Sequence, residues 1–224
     1  MKLRAILDDG CNPELVAGAD FDGYFGIPII KKPEKIIIPN RIIPFTKRSK
    51  AEVFEDAISF YEMDQDFSDL LKNPNNYIDA MRKHIFICPD CSLYRNAPYA
   101  VQVTNVYRSR AVGSYYQRQG AYVIPQIRWG NSLTYTTQAF PECVAFLGVE
   151  KHSIVAIGSY GCSKTCDDKN HLKAGLEAML ETLEPKVVLV YGSMPKKVFD
   201  DYRGVTDFVH YPDWTTFVHN GGEH

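Results

Sequence analysis

The chain of 224 residues carries a formal net charge of −2, with 45% apolar and 23% charged residues, which suits a folded domain and excludes a disordered or low-complexity one. No run approaches the roughly 18 apolar residues of a membrane span. The opening Met1-Lys-Leu-Arg-Ala-Ile-Leu7 meets Asp8 and Asp9 before it can form the apolar core of a secretory signal, so a first strand, a cytoplasmic location and no membrane partner are expected.

In chain order, Ile27–Ile30, Ile36–Ile38 and Ile42–Phe45 are short β-like pieces broken by proline and charged pairs. Two acidic stretches, near Lys50–Tyr61 and Asp66–Lys72, are predicted to be helical, and Asn73-Pro-Asn-Asn76 breaks the pattern. Residues 1–83 are therefore expected to form an α+β cap over residues 84–213, with 214–224 as a tail. From His84 the pattern becomes regular. His84–Cys88 reads as a strand, about Pro98 to Gln119 as a helix, and Tyr122–Trp129 as a strand made irregular by Pro125. Ser153–Gly158 is the next strand. Its helix begins at Asp167 and Asp168, carries the stripe Leu172, Leu176, Met179, Leu180 and Leu183, and stops at Pro185. Lys186–Gly192, a short helix from Pro195, and Asp207–Tyr211 complete the alternation. That order predicts an α/β fold with a mostly parallel sheet and flanking helices, an open doubly wound sheet first and a partial barrel second.

Ligands of parallel sheets bind beyond the strands' carboxyl ends. Those ends offer Asp90 and Ser92, then Arg128 and Trp129, then Ser159, Tyr160, Gly161 and Cys162, then Tyr191, Gly192 and Ser193, and last Tyr211 and Asp213. Ser193 stands two residues before Pro195, where it can cap a helix; free N–H groups at Gly192–Met194 would then seat a phosphate, or the serine is a plain cap. The same logic applies more loosely at Ser159–Gly161. Neither a P-loop nor a dinucleotide fingerprint is present, which disfavours standard nucleoside-triphosphate and nicotinamide sites and leaves the cofactor unknown. Cys88 with Cys91 and Cys162 with Cys166 supply four zinc ligands only if their strands are neighbours; buried or incidental thiols are the expected reading, without a metal.

The fifty residues from Ser92 to Pro141 contain no Asp or Glu but hold five arginines (95, 108, 110, 118 and 128), seven tyrosines and Trp129. Such arginines are donor forks suited to phosphate or carboxylate oxygens, and the aromatic faces can stack on bases or sugars. Helical spacing sends Val103, Val106, Tyr107 and Arg110 to one face and Arg108 to the opposite one. A buried Arg110 needs a partner, either a structural bridge to Asp90 or an anionic ligand shared with Arg128 beneath Trp129. Asp90 is the candidate acid, base or nucleophile. Glu62, Asp64, Asp66 and Asp69 would supply a second carboxylate if the N-terminal part folds over the sheet, and otherwise form a solvated helix start.

Pro89-Asp90, Ser92-Leu-Tyr94, Asn105-Val-Tyr-Arg-Ser-Arg110 with Gly113, Val123-Ile-Pro125 with Arg128-Trp129, and Pro185 to Gly192 together resemble domain of unknown function 4417. The resemblance covers about residues 55 to 212. It implies a setting in bacteria, their phages and other mobile elements, and it favours Asp90, Arg108, Arg110 and Trp129 as site residues. The family pattern places serine at Cys88 and phenylalanine at Cys91, which weighs against zinc.

Three readings follow. The first is a pocket of arginines, Asp90 and Trp129 that binds or acts on a phosphate-bearing small molecule such as a nucleotide or sugar phosphate. The second is a nucleic-acid-binding accessory protein of a phage or mobile element. The third is a phage protein that blocks a host factor. The low net charge and the splitting of Arg108 from Arg110 favour the pocket over a continuous basic track.

Overall fold

The computed structural model describes residues 12–160, 162 and 164–222; the strand expected at Met1–Leu7 and the candidate Gly161 lie outside them. A short antiparallel pair, β1 (Phe21–Asp22) and β2 (Ile27–Pro28), precedes seven parallel strands. These are β3 (Arg41–Pro44), β4 (Asp56–Ser59), β5 (Ile85–Ile87), β6 (Val123–Ile124), β7 (Ile154–Gly158), β8 (Val187–Tyr191) and β9 (Asp207–Tyr211). The helices are α1 (Ser68–Lys72), α2 (Ile78–Lys83), α3 (Tyr99–Arg118), α4 (Ser132–Tyr135), α5 (Cys166–Leu183), α6 (Lys196–Phe199) and α7 (Trp214–His219). No helix among the described residues is long and apolar enough to cross a membrane.

Two parallel groups, β3-β4-β5-β6 and β7-β8-β9, are joined where Gln126 bridges Ala156 and the Ile127 amide donates to the Ala156 carbonyl at 2.7 Å. Strand order thus follows chain order throughout. A doubly wound sheet requires the order to reverse at a switch point, so the open arrangement gives way to the partial barrel.

Side-chain alternation shows the same closure. Ile42, Ala57, Ile85, Ile87, Ile124, Ala156, Leu189 and Tyr211 form one buried cluster drawn only from the sheet's inner face. Their sequence neighbours face outward: Ile43, Ile58, Phe86 and Val123 pack with α3, and Val155, Ile157, Val188 and Val190 with α5. β9 is not hydrogen-bonded to β3, but Tyr211 Oη donates to the Pro39 carbonyl at 2.5 Å and links the end of β9 to the segment before β3.

Two expectations are corrected. Residues 56–59 are a fully buried strand, not part of a helix, and the N-terminal part contributes β3 and β4 to the same sheet. The strand is stable because Asp56 accepts two bonds from Arg41 of the neighbouring strand, at 2.8 and 3.1 Å. Ile36–Ile38, read as a β-like piece, forms no strand. The helix predicted from Asp167 is α5, entered through a capping box between Thr165 and Asp168.

Candidate functional site at the carboxyl edge of the strands

Because the seven strands are parallel, their carboxyl ends open on one edge, the edge at which α/β barrels place ligands. Asp90 follows β5 and is only 6% exposed. Gln126 Nε2 donates to its Oδ1 at 2.7 Å and Arg128 NH1 to its Oδ2 at 2.5 Å. Burial pushes the Asp90 carboxyl above the usual carboxylate range, and Arg128 pulls it back. Asp90 in turn holds Arg128 firmly charged. The 3-10 turn Asp64–Phe67 adds a second carboxylate: Asp64 accepts from the Ser92 amide at 3.2 Å and its hydroxyl at 2.8 Å.

Arg128 divides a groove of about 300 Å³, lined also by Tyr61, Glu62, Tyr94 and Tyr160, from a smaller cavity of about 160 Å³. Its side chain is 28% exposed, and among the described residues its hydrogen bonding runs through NH1 alone. Tyr61 walls the groove. Its ring stacks on Tyr191 at 4.6 Å and presses on Gly158, where a Cβ would stand 2.7 Å from the ring. The Tyr61 hydroxyl is enclosed, with no hydrogen-bond partner among the described residues. Tyr191 is nearly buried, and its Oη accepts from the Trp214 amide at 2.8 Å.

The other arginines of the acid-free segment are engaged within the fold. Arg110 is buried and donates to three carbonyls, Gln126 at 2.6 Å, Leu147 at 3.0 Å and Ala145 at 3.1 Å. It does not bridge Asp90 and lines neither the groove nor the cavity beside Arg128; it ties α3 to the loops after β6. Arg95 pairs with Asp167 and Asp168 at 2.7 and 2.9 Å. Arg118 donates to the Leu15 carbonyl and Arg108 to Asn105. Arg108 and Tyr107 line neither cavity; Tyr107 packs among core side chains.

Other expectations fare differently. Ser92 lines the groove beside Asp90. Trp129 walls the inner cavity but is core-packed against Gly175 of α5, where a Cβ would stand 2.2 Å from the indole. Ser159 is fully buried and bonds the Ser193 carbonyl, tying the ends of β7 and β8. Gly192 donates to the Tyr211 carbonyl at 2.9 Å and accepts from His210. Ser193 is not the cap of α6: the cap is Pro195 and the helix has four residues, too short to build a phosphate seat. Burial raises the Cys88 thiol to about 12 and raises Cys91 and Cys162 as well, so these are thiols at neutral pH. Among the described residues no group of three or more His, Cys, Asp or Glu could hold a metal ion. Sequence reasoning passed over Tyr61 and His171 and offered Glu62 only as one of four acidic residues. A strand reading of Asp56–Ser59 would have placed Tyr61 and Glu62 at a strand end.

The fold and this edge define the class: a parallel α/β partial barrel with an Asp–Arg pair and tyrosines gathered at the carboxyl ends of its strands. The chain belongs to the family described as domain of unknown function DUF4417, which matches residues 19–212. It is 33% identical over 148 residues to the Gene 1 protein of Mycobacterium phage D29, covering 66% of this chain and 52% of the relative. It is also 33% identical over 139 residues to the Gene 1 protein of Mycobacterium phage L5, covering 62% of this chain and 58% of the relative. The matched stretch therefore spans little more than half of either phage protein. No solved structure matches the chain.

Proposed function

We propose that the groove at the carboxyl edge binds a small ligand carrying one phosphate group, with Arg128 as its seat. The supporting observation is that Arg128 lies between the two cavities, held charged by Asp90, while NH1 alone is engaged among the described residues. A guanidinium with donors left over is suited to phosphate oxygens. Asp90 and Glu62 line the same groove and repel further negative charge, which favours a single anionic end over a polyphosphate. Asp90, with its raised pKa, is the group that would exchange a proton with such a ligand.

The competing reading is nucleic-acid binding, for which Tyr94 and Tyr160, 64% and 73% exposed at the groove, offer stacking faces. A track of phosphate contacts is less well provided, since Arg95, Arg110 and Arg118 are engaged within the fold. Thermal-shift titration with inorganic phosphate, ribose 5-phosphate and nucleoside monophosphates, beside labelled single-stranded DNA at two salt concentrations, separates the two. The pocket reading expects stabilisation by a phosphate compound that Arg128→Ala abolishes. DNA binding with a steep salt slope and no small-molecule effect would contradict it.

A further inference from the structure

The inner cavity beside Arg128 differs in character from the outer groove. Leu93, Ile127, Trp129, Ile157 and Leu172 give it apolar walls, and its volume of about 160 Å³ is several times that of a water molecule, so it has room for a ring. Arg95 and Asp168 line it too and are paired with each other at 2.9 Å, which leaves one polar atom standing out in the wall. His171 Nε2 is enclosed and has no hydrogen-bond partner among the described residues. Enclosed polar atoms are nearly always paired, and an orphan at a cavity wall marks where a ligand atom would complete the set. Burial, and next the charge of Arg95, lower the His171 pKa, so the ring is neutral at neutral pH and its Nε2 carries either a lone pair or a proton.

The chemistry of the wall discriminates among ligands. A sugar presents hydroxyls in every direction, and those turned to the five apolar side chains would lose water without gaining a partner. A heteroaromatic ring presents two apolar faces and a polar edge, which matches a cavity whose apolar side chains stand beside the polar Arg95, Asp168 and His171. Arg128, Tyr94 and Gly158 line both cavities, so a ring in the inner one and a phosphate in the outer one can belong to the same molecule.

Building on the phosphate reading of the outer groove, we infer that the inner cavity takes a nucleobase, so that the ligand is a nucleoside monophosphate whose base edge meets His171 Nε2. Isothermal titration with the four common ribonucleoside monophosphates, the matching nucleosides and ribose 5-phosphate tests this. At least one nucleotide is expected to bind about tenfold or more tightly than ribose 5-phosphate, the discrimination a site with a specific hydrogen-bond partner readily achieves. His171→Phe, which keeps a flat ring but removes the polar edge, is expected to erase most of that preference while leaving ribose 5-phosphate binding unchanged. Arg128→Ala is expected to weaken both compounds.

His171→Phe keeps a ring against Tyr135 but loses the hydrogen bond to the Gly130 backbone; if it does not fold, His171→Leu takes its place in the same comparison. Ribose 5-phosphate binding as tightly as every nucleotide, or a nucleotide preference that survives the His171 variants, overturns the base assignment and leaves the outer groove standing. Nucleosides that bind through His171 with no effect of Arg128→Ala or of the phosphate support the inner cavity and overturn the outer seat. Absence of binding by every compound overturns both.

Discussion

Arg110 shows how far a single residue's role depends on groups remote from it in the chain. Its position among valines on one helical face calls for burial, and it is buried; its partners are carbonyls 16 to 37 residues further along rather than a carboxylate. Carbonyl acceptors are invisible to any count of acidic residues, so an acid-free segment can still satisfy its arginines. Asp56 makes the complementary case. Burial alone would raise its pKa, but bonds from Arg41 and from the Glu52 and Val53 amides outweigh it and hold the carboxyl below the usual range. Its contribution to stability is therefore present above the unfolded carboxylate value of about 4 and is lost as pH falls through the lower folded value. Asp56→Asn is expected to cost about 1–3 kcal/mol in urea unfolding at pH 7, with the gap to wild type closing in acid. A gap that is constant with pH would show that the Arg41 pairing contributes nothing through charge.

At the scale of elements, α5 was the most legible part of the chain and β4 the least. The α5 stripe, its acidic start and the stop at Pro185 all appear in the sequence because they are local. β4 has four residues, begins with an aspartate and sits among Glu52, Glu55 and Glu62, so it reads as helical until Arg41 is brought alongside by the parallel register. The contact between α5 and the loop after β6 can be tested directly. Ala is a better helix former than Gly by about 1 kcal/mol, so propensity alone predicts that Gly175→Ala stabilises α5. The indole of Trp129 leaves no room for that methyl, however. Gly175→Ala is expected to destabilise the protein by about 1–3 kcal/mol in denaturant unfolding. A stabilised variant would mean that Trp129 is not seated on the helix.

For the whole molecule, the alternation of strands and helices from residue 84 onward was readable, whereas the closure of the sheet was not. A doubly wound sheet and a partial barrel use the same buried strands and differ in the order in which crossovers lay them down. That order leaves no mark on hydropathy. It nevertheless shapes the candidate site, because the ends of β4, β5, β6 and β7 place Tyr61, Asp90, Arg128 and Tyr160 around one opening. The candidate site was accordingly legible in part: Asp90, Ser92 and Arg128 follow from strand ends near arginines, while Tyr61 and His171 become visible only once the barrel curves. The most direct test is amide chemical-shift mapping of the labelled protein titrated with a ribonucleoside monophosphate. The account predicts shifts concentrated at residues 61–64, 90–95, 128–130 and 158–160 and at the first turns of α5. Shifts that fall on Arg108 and Arg118 of α3, with the strand ends unmoved, would contradict it.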